Sequence, residues 1–191
     1  MRLLSLDTSF SAINFTLIEN GKVVLHRYED TGKKTLEQLP KLLEKSDIDL
    51  HQMDAFAVSL GVGYLTSLRI GITFIKTIAY VSKKPVVGYE NLHMMCLFIR
   101  EPEEKLALLK VSNNVFCRRC KESSVGEVEI LQDLPSEVVS VGLSTQGLAS
   151  KQLEFFPFSL YGGLWAYNKL KEGYQGDDPM LLEPIYLKPP V

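Results

Sequence analysis

Residues 60–71 read LGVGYLTSLRIG. They follow an apolar run, residues 54–60 (DAFAVSL), and lead into residues 66–82 (TSLRIGITFIKTIAYVS). The first run predicts a buried strand and the second a helix, so the glycines fall in a strand-to-helix turn. Such turns bring backbone N–H groups beside a ligand or a partner in α/β proteins. Gly61, Gly63, Thr66, Arg69 and Gly71 are its candidate residues. Their spacing fits no phosphate-loop fingerprint. A dinucleotide loop needs G-x-G-x-x-G, and position 66 is Thr66; a P-loop needs Gly-Lys followed by Ser or Thr, and there is none.

The helix that follows is apolar on two faces. At about 100° per residue, Leu68, Gly71, Ile72, Ile75, Ile78 and Ala79 share one face, and Ile70, Phe74, Thr77 and Val81 an adjacent one. Only Arg69, Thr73, Lys76 and Tyr80 make a polar strip. An ordinary surface helix buries one stripe. Here one face covers a sheet and the other needs a further helix or another protein. In isolation the spare face predicts a homodimer.

The remaining chain bounds the function. With 191 residues, 46% hydrophobic and 23% charged, it has the composition of a globular α/β protein. A net charge of −2 excludes a broad basic nucleic-acid footprint. No run is long and apolar enough for a membrane span, and the N-terminus does not read as a signal peptide. Three cysteines, an odd count, argue against a secreted disulfide scaffold, so cytoplasm is the expected compartment.

Residues 3–7, 12–19 and 22–28 predict a three-stranded meander, with Asn20-Gly21 as the hairpin signal between the last two. Residues 35–45 predict a helix with Thr35 and Gln38 as a capping box, Pro40 inside it, and Leu36, Leu39, Leu42 and Leu43 as its stripe. A strand at 85–89 and a helix at 91–100 complete β-β-β-α-β-α-β-α. Strands at 106–111, 115–120, 126–131 and 138–141, a turn at 133–136 and a helix at 159–172 repeat the pattern weakly; residues 142–150 show no core pattern. Two subdomains are expected, 1–103 and 104–191.

Asp7-Thr8-Ser9 after the first strand resembles the first phosphate turn of the actin/sugar-kinase/Hsp70 superfold. Residues 55–92 resemble the TsaB (YeaZ) family segment G-P-G-S-F-T-G-L-R-I-G, a helix, then P-V-x-G. Residues 182–187 (LEPIYL) are similar to that family's closing E-P-x-Y-L-R. Val62, Tyr64, Leu65 and Ser67 depart from the family turn, and residues 112–116 (SNNVF) from its acidic second-lobe strand start. The resemblance implies an α/β fold of two actin-like (ribonuclease H-like) lobes with mixed sheets, the second lobe reduced. It implies a noncatalytic subunit of the machinery that makes N6-threonylcarbamoyladenosine (t6A) in tRNA, paired with a TsaD-type transferase and joined by a TsaE-type ATPase. The pairing helices would be residues 35–45 and 66–82, with Leu36, Leu39, Leu43, Ile70, Phe74, Thr77 and Val81 at the contact. TsaD carries H-x-x-x-H on its first long helix; residues 35–45 contain no histidine.

Other chemistry is weaker. His26, His51 and His93 lie in different elements, so no metal site is expected. Asp7, Thr8 and Ser9 would serve an ATP-binding kinase or ATPase of the same superfold, the alternative function; the same residues also shape turns through side-chain-to-backbone bonds. ATP or ADP at a complex interface stays open, and no other cofactor is expected. Cys117 and Cys120 form C-x-x-C, but on a strand they point to opposite faces, unlike a redox pair at a helix start. Phe155, Phe156, Phe158, Tyr161 and Trp165 read as core or lobe-interface packing, with tRNA contacted only indirectly.

Overall fold

The computed structural model describes residues 1–32, 34–100, 102–121, 124–133, 135 and 138–187. Strands β1 (Arg2–Asp7), β2 (Ala12–Glu19) and β3 (Lys22–Asp30) form the expected antiparallel meander. Helix α1 (Thr35–Lys45) and a short 3-10 turn (Leu50–Gln52) lead to β4 (Ala55–Gly61), which pairs parallel with β1. Helix α2 (Leu65–Ser82) then leads to β5 (Val86–Glu90), parallel to β4, and α3 (Asn91–Phe98) follows. The sheet order is β3-β2-β1-β4-β5.

The second sheet is built from β6 (Lys105–Val111), β7 (Asn114–Lys121), β8 (Ser124–Ile130), β9 (Ser140–Leu143) and β10 (Lys151–Leu153), in the order β10-β9-β6-β7-β8. It repeats the first: a meander whose first strand gains two parallel neighbours on its free side. Among the described residues no helix lies between β8 and β9 or between β9 and β10, the places of α1 and α2 in the first lobe. The second lobe is therefore reduced, as the sequence predicts.

Strand alternation sorts the core into layers. Leu4 and Leu6 of β1, with Phe56 and Val58 of β4, face α1 and α2 and meet Leu39, Leu43, Leu68, Ile72 and Ile75. Leu3, Ala55, Ala57 and Tyr89 face the other way, toward α3 and α4 (Phe158–Lys171). This inner layer is continuous with Ala107, Leu109, Phe116 and Cys120 of the second sheet. Helix α4 packs on β1, β2 and β4 although it follows the whole second sheet in sequence. It comes close because two glycines face the sheet. A Cβ on Gly162 would sit 2.4 Å from the Tyr89 ring, and one on Gly163 would sit 2.8 Å from Ser5 Cβ. Beyond it the chain returns to β5: the Asp177 amide donates to Val86 O and the Gly88 amide to Asp177 Oδ2, each at 2.7 Å.

Four local expectations need correction. Thr35 and Gln38 make no capping box: Lys34 occupies the cap position and no side chain caps the helix. Thr35 is buried, and its hydroxyl donates to Ser67 Oγ of α2 at 3.3 Å, so tertiary packing takes the group the local motif would use. Helix α3 ends at Phe98, two residues early. The strand expected at 138–141 is β9, shifted by two, and β10 is a three-residue edge strand with too few residues for a visible alternation. Finally, Cys96 of α3 and Cys120 of β7 form a disulfide, leaving Cys117 free. One bond is no scaffold, but an odd cysteine count could not reveal it. Part of the expected turn at 133–136 and the tail beyond residue 187 lie outside the described residues. Pro40 does not interrupt α1, and no helix among the described residues is long and apolar enough to cross a membrane.

Because Phe158, Ala166 and Tyr167 of α4 complete the inner layer of the first sheet, a fragment of residues 1–103 is expected not to fold alone. Near-ultraviolet circular dichroism and a urea titration check this; a cooperative transition like that of the whole chain would contradict it.

Candidate functional site

Two turns meet at the end of β1. The Asp7-Thr8-Ser9 turn lies against the Gly61–Gly63 turn and the first turns of α2. The Tyr64 amide donates to Ser9 O at 2.7 Å, and Thr8 Oγ1 donates to Ser67 O at 2.8 Å. The glycines are set by this approach. A Cβ on Gly63 would lie 2.4 Å from Ser9 O, and one on Gly71 would lie 2.3 Å from Thr8 Oγ1. Neither distance is tolerable for a carbon, and at Gly63 the obstacle is backbone. Gly61 and the two turns expected separately from the sequence are therefore one structure. Thr66 is exposed, and Arg69 points outward, its guanidinium 5.8 Å from the centre of the Tyr186 ring in the C-terminal tail.

Asp7 is only 1% exposed. Both carboxylate oxygens are engaged: Oδ1 accepts from the Ser9 amide at 3.0 Å and from Ser9 Oγ, and Oδ2 accepts from Asn14 Nδ2 at 2.8 Å. Burial pushes its pKa above the usual carboxylate value, and these donors partly oppose that shift. The network runs on. Ser9 Oγ lies 3.0 Å from Ser59 Oγ, and Asn91 Nδ2 donates to Ser9 Oγ at 2.8 Å and to Val62 O at 3.2 Å. Asn14 Oδ1 accepts the Ser159 amide at the start of α4 at 3.0 Å. Asn14, Ser59 and Asn91 were not singled out in the sequence. Their signal was a polar residue in a strand otherwise made for burial, and an Asn opening an apolar helix.

The space beside Asp7, between the lobes, is small and lined by both aromatic and polar residues. A cavity of about 180 Å³ is lined by Asp7, Phe10, Tyr28, Tyr64, Phe156 and Phe158 among others. Phe10 stacks on Phe158 with ring centres 6.1 Å apart, Phe156 lies 4.9 Å from both Phe158 and Tyr161, and Tyr161 stacks on Phe98 at 4.6 Å. Phe155 meets Tyr28 edge-on at 4.8 Å, and Trp165 lies beside His93 at 5.9 Å. The aromatic cluster is lobe-interface packing, as expected.

The outer side of the first lobe is different. Leu36, Leu39 and Pro40 of α1 and Ile70, Phe74 and Thr77 of α2 line an open apolar groove of about 580 Å³. Leu36 is 71% exposed, and Val81 at the far end of α2 is 75% exposed. Leu39 and Leu43 are buried beneath α1: Leu39 forms the groove's floor, and Leu43 belongs to the core. The face of α2 expected to cover the sheet does so through Leu68, Gly71, Ile72, Ile75 and Ala79, while Ile70 and Phe74 remain half-buried and Thr77 exposed.

The remaining candidates stay apart. His26 pairs with Thr16 at 2.8 Å, His51 lies in the 3-10 turn, and His93 sits in α3. Among the described residues no three His, Cys, Asp or Glu side chains could hold a metal ion. Cys117 and Cys120 do not meet: Cys120 faces α3, while Cys117 joins Leu106, Leu108 and Ala149 on the opposite face.

Residues 32–112 match the family model of TsaD, tRNA N6-adenosine threonylcarbamoyltransferase. The chain is 28% identical over 135 residues to that transferase from Thermodesulfovibrio yellowstonii, covering 59% of this chain and 40% of the relative. It is 31% identical over 99 residues to the tRNA threonylcarbamoyladenosine biosynthesis protein TsaB of Haemophilus influenzae, covering 50% of this chain and 42% of the relative. The chain thus spans less than half the length of these curated relatives. Among solved structures, YeaZ from Pseudomonas aeruginosa superposes with a TM-score of 0.75 at 22% identity, over 97% of this chain and 99% of that one. The fold is therefore α/β with two actin-like lobes, and the sequence is related to the TsaB and TsaD proteins.

Two measurements test the interlocked turns. Gly71→Ala is expected to destabilise the protein by about 1–3 kcal/mol through overpacking against Thr8. Thr8→Ala in the same chain should restore part of that loss in a urea titration. Asp7 binds its proton more tightly in the folded protein than at the unfolded value of 3.8. Stability relative to Asp7→Asn should therefore rise as pH falls from 7 through the folded pKa and level off below the unfolded one. Parallel stability curves would contradict this.

Proposed function

We propose that this chain is a noncatalytic scaffold and activator of the TsaB (YeaZ) kind, which seats a TsaD-type transferase of t6A synthesis on its α1–α2 face. The observation that carries this reading is the groove between α1 and α2. It is apolar, open, and lined by Leu36, Ile70, Phe74 and Thr77, on a helix whose opposite face is already used by the sheet. A partner's paired helices would bury that surface, and a second copy would cover it when the chain is alone. Sequence relatives named for both TsaD and TsaB agree with a place in this system.

The subunit itself supplies no transfer chemistry in this account. Helix α1 (TLEQLPKLLEK) has no histidine with which to hold a metal. Substrate tRNA is reached through the transferase, in keeping with a net charge of −2. A TsaE-type ATPase joins the larger assembly, and the reaction belongs to the cytoplasm.

The alternative, an ATP-binding kinase or ATPase using Asp7, fits the residues less well. Both Asp7 oxygens are engaged by Ser9 and Asn14, and the neighbouring cavity of about 180 Å³ falls below the roughly 300 Å³ where ordinary ligand pockets begin. Phe10 and Phe158, stacked on each other, both line that cavity. Nucleotide at the interface with the transferase would have to use residues of the partner.

Phe74→Glu places a charge in the groove, and burying it without a partner is costly. Binding to a cognate TsaD-type transferase, measured by calorimetry, is expected to weaken at least ~100-fold, about 2.7 kcal/mol. Val139→Glu on the exposed surface of the second lobe should leave binding unchanged. Equal affinity of wild type and Phe74→Glu would place the contact elsewhere.

A further inference from the structure

The second lobe has little of its own to hold it together. Where the first lobe has α1 and α2, the outer face of the second sheet carries, among the described residues, a small buried cluster of Leu106, Leu108, Cys117 and Ala149, flanked by Val115, Leu131 and Val138. Its inner face packs on α3, which also packs on the first sheet and on α4. Two links fasten β7 to this layer. Arg118 pairs with Glu90, the residue before α3, and Cys120 is bonded to Cys96 within α3. The covalent link therefore joins an element of one lobe to a strand of the other.

The bond's two ends differ in access. Cys120 is 2% exposed, whereas Cys96 is half-buried, so Cys96 is the more accessible end for an external thiolate. Cys117, on the other face of β7, cannot resolve the bond. Burial and the nearby Glu129 raise its thiol to about 11, which keeps it protonated and unreactive.

We propose that the Cys96–Cys120 bond is a redox-controlled staple that locks the second lobe to α3 when oxidised and lets it loosen when a dithiol reductant opens it. In the opening step one thiolate of the reductant attacks Cys96 Sγ, the S–S bond breaks, and Cys120 leaves as a thiolate that takes up a proton. The second thiol of the reductant then displaces Cys96, which is released as a thiol. The protein gains two electrons and two protons, and the reductant becomes a disulfide. A disulfide oxidant of the same class reverses the exchange. The α1–α2 face lies across the first sheet from this bond, so the staple acts on α3 and the second lobe and does not depend on the proposed function.

The test uses the full chain purified without reductant. Alkylation in denaturant, followed by mass measurement, should modify one cysteine before dithiothreitol treatment and all three after it. Hydrogen exchange on the folded protein should then be at least ~10-fold faster in α3 and β6–β8 after reduction, with α1 and α2 unchanged. Cys96→Ser should match the reduced wild type and show no further response to dithiol. The wild-type comparison stands on its own should that variant fold poorly. Three reactive cysteines before reduction, equal exchange in both states, or an equal rise through α1 and α2 would each overturn the proposal.

Discussion

The rest of the structure depends on one close contact, the seating of the Thr8-Ser9 turn on Gly63 and Gly71. With no side chain at either glycine, the end of β1 lies directly on the start of α2. Two hydrogen bonds then lock the two together, one from the Tyr64 amide to Ser9 O and one from the Thr8 hydroxyl to Ser67 O. This seat fixes the height and direction of α2 over the sheet. It therefore decides which residues of α2 meet the core and which are left facing out. Asp7 stabilises the seat from beneath: its buried carboxylate gathers Ser9 and Asn14, and through them Ser59, Asn91 and the first turn of α4. A buried polar network of this kind is costly unless every member is paired, which makes it a strong constraint on one arrangement.

The same arrangement separates two surfaces. Between the lobes, Phe10, Phe156 and Phe158 line the small cavity beside Asp7, and the polar groups of that turn are engaged in the buried hydrogen-bond network. On the far side of the first sheet, α1 and α2 leave Leu36, Ile70, Phe74 and Val81 partly or fully in solvent. An exposed apolar face of this kind supports the partner contact proposed for it. The polar groups around Asp7 are buried, whereas the apolar α1–α2 face is open.

Much of this was legible in the sequence because the deciding signals are local. Alternation in residues 12–19 and 22–28, Asn20-Gly21 between them, and the two-faced pattern of residues 66–82 each depend on near neighbours; the structure places two strands, their turn and a helix there, although β2 is buried on both faces and β3 is largely exposed. The glycines of residues 60–71 were visible as a turn, but not the reason for them, because Thr8 and Ser9 are more than fifty residues away. Long-range pairing likewise hid the Cys96–Cys120 bond, the role of Asn14 and Asn91, and the return of α4 to the first sheet. Thr35 shows the opposite error: a local capping motif was present, and burial against Ser67 overrode it. Strands β9 and β10 were misplaced or missed because four and three residues are too few to carry a period.

The central claim is that the outer face of α2, and not the cleft between the lobes, receives the transferase. The most direct measurement places a photo-reactive phenylalanine analogue at position 74 in one sample and at position 155 in another, each illuminated with a cognate TsaD-type transferase. Phe74 lines the α1–α2 groove, whereas Phe155 sits at the cleft against Tyr28. The expected result is a covalent adduct from position 74 and none from position 155. An adduct from position 155 alone, or none from either, would contradict the account.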